Sequence, residues 1–330
     1  MKEVKIGCYG FGPQGHQIFG YIPPISRARL TAIGQIAAER FANIRKSDGL
    51  PEVPAFDDFD TFLAEADCNL ISLCTEPRAD QYHLLARALR AGKNVLAEKP
   101  MAMTVDELDE LRRICEETGS KLYTMTGMPY DPYYTAMHNI VRSGKLGTIV
   151  QIYALKSYPY RDSRPQDRRE DGGIIRQAGI HAISIIRHVT GLEFTEVFAQ
   201  DTGVGNPGSG ELQMGANVTY RMNNGALTAL LCNYCNPPGL GFHGNDQIRI
   251  HGTEGMIESV DGGTRHVMAL SGKDAEEFQG EEPPVSFIQD IVNDILDGTA
   301  AVLTQEDAFR NTEAVIRAQD SADTGKPVKF

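Results

Sequence analysis

Over the first part of the chain, the pattern of hydrophobic and polar positions alternates between two periods. Short apolar runs predict strands, namely EVKIGCYG, RLTAIGQI, CNLISLCT, KNVLAEKP and KLYTMTG. Leucines and alanines at helical spacing in RADQYHLLARALRAG predict a helix, and Thr104 with Glu107 is a capping-box pattern that predicts the start of another. Strands that alternate with helices indicate a doubly wound parallel sheet, so we predict an α/β domain over residues 1–125.

The pattern changes after about Met128. Period-two alternation with turn signals predicts strands of a largely antiparallel sheet in TIVQIYALKSY, EVFAQDT, GANVTYRM, ALTALLCNY and DQIRIHGTEG. One long helical pattern over residues 174–189 interrupts these strands, and two more follow in SFIQDIVNDILDG and TQEDAFRNTEAVIRAQDSADTG. We therefore predict a second domain of the α+β class over residues 126–330.

Composition narrows the class of protein. A length of 330 residues favours two domains, and a net charge of −12 argues against nucleic acid or an anionic membrane as a partner. We find no apolar run of membrane-spanning length and no signal-peptide pattern, and most of the six cysteines lie in apolar segments, so we expect a cytoplasmic protein. Cys232 and Cys235 form one CxxC on a strand, where positions three apart face opposite sides, so we predict no metal site.

The segment GFGPQG follows the first predicted strand and precedes HQIFGYI. Its glycines have the G-x-G-x-x-G spacing: the first allows a tight turn, the second lets the backbone approach a pyrophosphate, and the third lets a helix pack closely. The motif predicts a dinucleotide site with the phosphates at the N-terminus of a following helix. Its residues are Gly10, Phe11, Gly12, Pro13, Gln14 and Gly15.

The end of the second strand bears on the choice of nucleotide. An acid that binds the ribose 2′-hydroxyl is expected there, and this chain has Gln35. An amide can bond to a hydroxyl but does not repel a 2′-phosphate, so the cofactor is NAD or NADP. Arg40 is the nearest cation, and we expect it to face solvent.

A third motif stands at the end of another predicted strand. Glu98, Lys99 and Pro100 occur in NVLAEKPMAMT after HLLARALRAGK, and with GFGPQG, SGKLGTIVQI, DGGIIRQAGIHAISIIRHVTG and IHGTEGMIES they make nearly the whole chain resemble the Gfo/Idh/MocA oxidoreductases. The resemblance implies a Rossmann domain followed by a domain on an open-faced sheet that makes oligomer contacts, hence a homodimer or homotetramer. It also implies a nicotinamide cofactor and a sugar, sugar derivative or cyclitol as substrate. The cofactor site would include Thr75, Glu76, Pro77, Glu98 and Lys99.

Lys99 fits the chemistry that such a reaction needs. Oxidation of a secondary alcohol requires a group that accepts the hydroxyl proton while hydride leaves carbon for the nicotinamide. Lys99 stands at the carboxyl end of a predicted parallel strand, where open α/β sheets bind ligands. A lysine that is partly desolvated beside an oxidised nicotinamide loses proton affinity, which suits it to this role.

The predicted helix over residues 174–189 carries a neutral polar stripe. Gln177, His181, Ser184 and His188 share one arc at helical spacing, without an acid or a lysine, which favours a half-buried cleft over open solvent. In the resembling enzymes this helix carries Asp and His four residues apart, which complete a catalytic set with the lysine. His181 matches the histidine, and Gln177 stands in place of the aspartate. Ser184 and Gln81 also occupy places where that family often has an acid and a histidine.

Glutamine orients a hydroxyl but supplies no charge, so three hypotheses remain for the reaction. Lys99 or His181 handles it alone, or a nearby group substitutes, or ordinary dehydrogenase turnover is lost. The candidate substitutes are Tyr158, Tyr160, Asp162 and Asp171. The charged loop YPYRDSRPQDRRED is either solvated or contacts substrate, in which case Tyr158, Arg161 and Arg164 are the predicted contacts.

These features favour an NAD(P)-dependent oxidoreductase in which Lys99 and His181 handle the proton and Gln177 positions the substrate. Two rival hypotheses share the fold. One is an enzyme that keeps NAD bound for a non-redox net reaction, such as glycoside cleavage through transient oxidation. The other is a catalytically silent dinucleotide- or sugar-binding protein with a regulatory role.

Overall fold

A computed structural model describes residues 2–12, 15–241, 244–299 and 301–330. The chain divides into two compact units. One contains the residues up to Met125 with Arg169–Asp171 and Val285–Arg310, and the other contains Thr126–Arg168, Gly172–Pro284 and Asn311–Phe330. None of the described helices combines the length and apolar character that crossing a membrane requires.

The first unit is built on a parallel sheet that has six strands in the described part of the chain. The strands are β1 (Val4–Tyr9), β2 (Ala28–Gly34), β3 (Ala55–Phe56), β4 (Leu70–Leu73), β5 (Asn94–Ala97) and β6 (Leu122–Thr124). Their order is β3-β2-β1-β4-β5-β6, so the chain first runs outward from β1 and then returns to continue from β4 on the other side. This doubly wound order confirms the predicted α/β class, and the reversal between β1 and β4 marks the edge where such sheets bind ligands.

Four helices connect these strands: α1 (Ala38–Asp48), α2 (Phe59–Glu65), α3 (Arg78–Arg90) and α4 (Val105–Thr118). The capping box at α4 is confirmed, since the Glu107 N–H donates to Thr104 Oγ1 and the Glu107 carboxylate accepts from the Thr104 N–H. The helix ends at Gly119, which has a φ of 72°.

The helix predicted after the glycine motif is absent from the described residues that follow it. Residues 15–18 have no helical structure, and the segment then makes only a short 3-10 turn, Phe19–Tyr21. Gly20 lowers helix propensity, and Pro23 and Pro24 lack the N–H groups that a continuing helix would use. The expected helix is therefore replaced by this short turn in the described residues.

The second unit is built on a mixed, mostly antiparallel sheet. Nine strands belong to it among the described residues: β7 (Ile149–Ser157), β8 (Phe194–Thr202), β9 (Gly215–Met222), β10 (Leu227–Asn233), β11 (Gln247–Gly252), β12 (Gly255–Val260), β13 (Arg265–Leu270), β14 (Glu276–Glu277) and β15 (Val328–Lys329). The order is β14-β13-β12-β11-β7-β10-β9-β8-β15, and only β7 with β10 pairs in parallel among these strands. The predicted α+β class is confirmed.

Helices cover one face of this sheet. The remaining α-helices among the described residues are α5 (Pro132–Arg142), α6 (Arg168–Asp171), α7 (Ile180–Thr190), α8 (Phe287–Asp297) and α9 (Gln305–Thr324). Of these, α5, α7 and α9 contribute residues to the core of this sheet. Inward-facing strand residues such as Ile152 and Val218 form one buried core with Ile183 and Ile186 of α7. Burial of these aliphatic side chains is the main term that holds α7 on the sheet.

Helix α8 belongs to the first unit, although the sequence placed residues 126–330 in one second domain. Ile288, Ile291 and Val292 join the core of the first unit. At its end, Asp294 accepts hydrogen bonds from Tyr123 Oη at 2.5 Å and Lys121 Nζ at 2.6 Å. A helix pattern in a sequence shows that an apolar face must be buried but does not show which sheet buries it.

We expect Ile291→Ala to lower the free energy of unfolding by about 3 kcal/mol, because Ile291 is only 1% exposed in this core. Denaturant unfolding monitored by circular dichroism measures the change. Val150→Ala is the matched control, since Val150 is 52% exposed and its truncation should change stability by less than about 0.5 kcal/mol. Equal effects of the two substitutions would contradict the packing of α8 described above.

Candidate active site

The glycine motif lies at the carboxyl end of β1, where the strand order reverses. Gly10 has a φ of 73°, and a Cβ on it would overlap the carbonyl oxygen of Cys74, the residue that follows β4. A Cβ on Gly12 would overlap the carboxylate of Glu76, and one on Gly15 would overlap Cys74 Sγ. These glycines let two loops approach more closely than any side chain allows. Pro13 and Gln14, also predicted to bind cofactor, lie outside the described residues.

Gln17 holds the segment after this motif in place. Its Nε2 donates to the carbonyl oxygens of Tyr9, Gly10 and Ser72 at 2.7–3.2 Å, and its Oε1 accepts from Ser72 Oγ at 2.6 Å. The side chain therefore ties the end of β1 to β4 where the expected helix is missing. The sequence analysis missed Gln17, and no simple sequence signal separates it from an exposed glutamine.

The predicted cofactor residues Thr75, Glu76 and Pro77 form the loop between β4 and α3. Gln81 fastens this loop: its Oε1 accepts from the Thr75 N–H at 3.3 Å, and its Nε2 donates to the carbonyl oxygens of Glu98 at 2.6 Å and Pro100 at 3.2 Å. Gln81 thus joins the loops that follow β4 and β5. It stands where the resemblance suggested a histidine, and in this structure its amide positions the main chain.

Glu98 and Lys99 form a buried ion pair just after β5. Glu98 Oε1 lies 3.2 Å from Lys99 Nζ and 3.2 Å from His16 Nδ1, and the two paired side chains are 0% and 2% exposed. Burial alone would raise the pKa of Glu98, but the charges of Lys99, His16 and Arg78 together hold it below its ordinary value. Glu98 is therefore an ionised carboxylate at neutral pH, and it holds the Lys99 side chain in place.

The first unit's residues fit a bound dinucleotide. Three buried polar atoms, Thr75 Oγ1, Arg78 Nη1 and Glu98 Oε2, have no hydrogen-bond partner within the described ranges. They stand around the glycine loop and the ends of β4 and β5, which is where the motif predicts the cofactor. Buried polar atoms of this kind normally have partners, so they are available to a ligand rich in oxygen and hydroxyl groups.

Arg40 is exposed, as expected from the sequence, and it also contacts the glycine loop. Its Nη1 donates to the carbonyl oxygen of Phe11 at 2.5 Å, and its guanidinium carbon lies 3.5 Å from the centre of the Phe11 ring. The exposed side chain therefore packs on Phe11 of the glycine loop while it stays accessible to solvent. Gln35 is exposed at the end of β2 with a φ of 48°, and it lines a cavity of about 520 Å³ together with Asp57.

In the second unit, the predicted polar stripe begins on a π-helical segment. Residues Ile175–Gly179 form this segment directly before α7, so Gln177 lies on it and His181 lies in the first turn of α7. Gln177 is buried, His181 is half-buried and Ser184 is fully buried, which excludes a solvated face. A π-helical turn widens the helix and is frequent at functional sites.

Gln177, Tyr158 and Arg164 come together around Tyr234. The Tyr234 hydroxyl donates to Gln177 Oε1 at 3.4 Å, and the Arg164 guanidinium carbon lies 4.5 Å from the centre of the Tyr234 ring and 5.8 Å from that of Tyr158. Arg161 is exposed, and its carbonyl oxygen accepts a hydrogen bond from the Arg164 N–H at 2.9 Å. Three of the predicted substrate residues therefore share one cluster, and Tyr234 was missed.

A buried ion pair adjoins this cluster. Lys156 Nζ lies 2.5 Å from Asp246 Oδ2 and 5.0 Å from the centre of the Tyr158 ring. Burial alone would lower the pKa of Lys156, but Tyr158 and Asp246 outweigh it and raise the pKa above its ordinary value. A signal for Lys156 was present in the sequence, since the alternation of β7 puts it in phase with the inward-facing Ile152 and Ala154.

The two cysteines of the CxxC segment lie in different environments. Cys232 is buried, Cys235 is exposed, and both are free thiols. Burial raises the pKa of Cys232 to about 12, so it stays a thiol. The described residues contain no group of three or more His, Cys, Asp or Glu side chains that could hold a metal ion.

Sheet order, glycine loop and buried lysine together define a nicotinamide-dependent oxidoreductase of the Rossmann class. Residues 4–126 match the model described as "Oxidoreductase family, NAD-binding Rossmann fold", and residues 134–258 match the GFO/IDH/MocA C-terminal domain. The chain belongs to the Gfo/Idh/MocA oxidoreductase family, which confirms the resemblance drawn from its motifs.

Individual relatives agree with this assignment. The chain is 23% identical to scyllo-inositol 2-dehydrogenase (NAD(+)) of Bacillus subtilis, over 99% of this chain and 96% of the relative. It is 22% identical to scyllo-inositol 2-dehydrogenase (NADP(+)) of the same organism, over 98% and 94%. A solved oxidoreductase structure from Thermotoga maritima has a TM-score of 0.90 at 26% identity, covering 99% of this chain and 100% of that one.

We expect Gly10→Ala to abolish tight cofactor binding, because its new Cβ meets the main chain of Cys74, which cannot move aside cheaply. Gly92→Ala is the matched control: it has the same φ of 73° but no atom within 4 Å of the built Cβ. Both variants have the strain of a positive φ. A difference in stability or NADH affinity between them therefore reports only on the contact of the new Cβ with Cys74. Melting temperature and NADH titration measure it, and equal losses in the two variants would contradict this role of Gly10.

Proposed function

We propose that this protein is an NAD(P)-dependent oxidoreductase that transfers hydride between a nicotinamide cofactor and a secondary hydroxyl carbon of a sugar, sugar derivative or cyclitol. The observation that carries the proposal is the buried Glu98–Lys99 ion pair at the carboxyl end of β5, joined through Gln81 to the loop that follows β4. The names of the two Bacillus subtilis relatives support the cyclitol class of substrate.

Lys99 is the proposed proton acceptor. The nicotinamide, when bound, would supply the hydride acceptor, and its positive charge in the oxidised form would favour the neutral amine of Lys99. In that neutral form Lys99 Nζ takes the proton of the substrate hydroxyl in the oxidising direction and returns it in the other. Glu98 acts on this step through Lys99: its carboxylate, 3.2 Å from Nζ, holds the amine in one position. Glu98 is in this sense a positioning residue.

Gln177 and His181 are the proposed substrate-orienting residues of the second unit. Tyr234 donates to Gln177 Oε1, so Gln177 Nε2 remains to donate to a substrate oxygen. An aspartate there would only accept hydrogen bonds, and it would add a charge that glutamine lacks. The proton therefore falls to Lys99, with His181 as the second group able to exchange one.

The cluster around Tyr234 supports a sugar-binding role for Tyr158 and Arg164. Aromatic rings pack against the apolar faces of sugar rings, and the guanidinium offers several donors to hydroxyl groups. Arg161 keeps its predicted role only at the rim, since it is exposed. On the first unit, Gly10, Phe11, Gly12, Gly15, Gln35, Thr75, Glu76, Pro77, Glu98 and Lys99 are the proposed cofactor contacts among the described residues.

The test is turnover by purified protein with NAD and NADP and a panel of cyclitols and aldoses, followed by absorbance of the reduced nicotinamide. Net reduction with at least one panel member supports the proposal. Product without net reduction would instead favour transient oxidation by a bound cofactor. Cofactor binding without any product would favour a regulatory binding protein, and either of these two outcomes would overturn the proposed reaction.

We expect Lys99→Met to lower kcat by about a hundredfold or more, because the proton acceptor is lost. The single variant also leaves the Glu98 carboxylate buried without its partner, which is strongly destabilising. The double variant Glu98→Gln/Lys99→Met removes both charges, so it should recover thermal stability relative to the single variant while turnover stays low. Recovery of turnover along with stability would show that Lys99 has only a structural role.

We expect Gln35→Asp to lower affinity for NADPH relative to NADH by about tenfold or more, because a carboxylate at the end of β2 repels a 2′-phosphate. Calorimetric titration with both nucleotides measures the ratio. Gln35→Asn has a similar shape without the charge and should leave the ratio near the wild-type value. An unchanged ratio in Gln35→Asp would remove Gln35 from the ribose site.

A further inference from the structure

Arg78 is a buried cation that the proposed reaction does not use. Its side chain is 1% exposed and is the largest fully buried side chain among the described residues. A guanidinium keeps its charge at every ordinary pH and has five N–H donors. Keeping such a group out of water is costly unless acids and acceptors compensate it.

The compensation that the first unit offers to Arg78 is incomplete. Nη1 has no hydrogen-bond partner among the described residues, and Nη2 lies 3.7 Å from Cys74 Sγ, a weak acceptor. The nearest carboxylate oxygen, Glu76 Oε1, is 4.0 Å from Nη2, at the outer limit of an ion pair. Glu98 also feels the charge of Arg78, but that carboxylate is paired with Lys99 and His16.

The guanidinium lies against the glycine loop. A Cβ built on Gly15 would be 2.8 Å from Arg78 Nη2, so only a glycine leaves room for the arginine there. The carboxylate of Glu76 lies against Gly12, the residue where the motif brings a pyrophosphate close to the backbone. An anionic group thus already rests on the loop within 4.0 Å of Arg78.

The usual source of positive potential for that pyrophosphate is weak in this chain. In sheets of this class, the N-terminus of the helix after the glycine loop attracts the phosphates. Here residues 15–18 are not helical, and only the 3-10 turn Phe19–Tyr21 follows. The loop therefore needs another cation if it is to bind a dianionic pyrophosphate tightly.

We propose that Arg78 binds the pyrophosphate of the dinucleotide in place of the missing helix N-terminus, and that the Glu76 carboxylate is displaced when the cofactor binds. The inference rests on the proposed function, because it concerns the cofactor of that reaction. It assigns opposite effects to two neighbouring side chains: Arg78 attracts the phosphates, and the Glu76 carboxylate competes with them for the same place. The cofactor contact proposed for Glu76 is therefore one of its main chain, in the loop after β4.

The experiment compares nucleotide affinities of Arg78→Met, Arg78→Lys, Glu76→Gln and wild type. The probes are NADH and adenosine, and adenosine lacks the phosphates. Because the chain has no tryptophan, NADH emission can be followed without tryptophan background, and calorimetry gives the adenosine affinity. Arg90→Met is the control for loss of a charge on the same helix, since Arg90 is 52% exposed and pairs with Glu110.

Arg78→Met should weaken NADH binding about 30-fold or more while adenosine binding stays within about twofold of wild type. Arg78→Lys should show an intermediate loss, because lysine keeps the charge but not the paired donors. Glu76→Gln should strengthen NADH binding about threefold. Arg90→Met should change neither affinity.

The apo melting temperature separates this role from a structural one. Removing an incompletely paired buried charge should leave the apo stability of Arg78→Met equal to or above that of wild type, while its stabilisation by NADH shrinks. A lower apo melting temperature with equal losses for NADH and adenosine would overturn the inference. So would unchanged NADH affinity in Arg78→Met, or weaker NADH binding in Glu76→Gln. Failure of wild type to bind NADH or NADPH would overturn the cofactor proposal itself and this inference with it.

Discussion

The candidate cofactor site of the first unit depends on how its buried charges compensate one another. These charges lie at the carboxyl ends of β4 and β5. Glu98 and Lys99 are withdrawn from water together, and their 3.2 Å separation offsets part of the cost of burying each. Arg78 and Glu76 are the neighbouring pair, but at 4.0 Å they compensate each other poorly. The closer pair fixes the side chain of Lys99, and the weakly compensated Arg78 suits a site that an anionic ligand completes. Gln81, which bonds to both loops, keeps these charges at fixed positions.

The second unit also buries polar side chains, but it compensates them in other ways. Lys156 is compensated by Asp246 at 2.5 Å, so it is a closed pair beside Tyr158. Gln177 needs no counter-ion, because it is neutral and takes its hydrogen bond from Tyr234. A neutral residue at this place lets the cluster pack two aromatic rings against Arg164 without a further buried charge. A glutamine at position 177 is thus consistent with its immediate surroundings.

Motifs that depend on residues close together in the sequence could be predicted from it. Gly10, Gly12 and Gly15 were identified because a tight turn and close approach of two loops require glycine, and the capping box of α4 depends on residues three apart. Glu98 and Lys99 were found from their place after a strand. The helix expected after the glycine loop is not found in residues 15–18, where Gly20, Pro23 and Pro24 nearby disfavour a helix in spite of the motif. The packing of α8 on the first unit and the contact of Arg40 with Phe11 could not be predicted, because their partners are far away in the sequence.

The amino-acid sequence by itself determined the two fold classes and the position of the glycine loop, because each follows from periodicity or from residues close together in the chain. Tertiary structure alone decided which buried charges are paired and which are not. Arg78 is an ordinary first-turn arginine in the sequence, and only the packing of α3 beneath Gly15 and Cys74 leaves its Nη1 without a partner among the described residues. Burial and distance set the energy of a charge, and neither can be read from residue order.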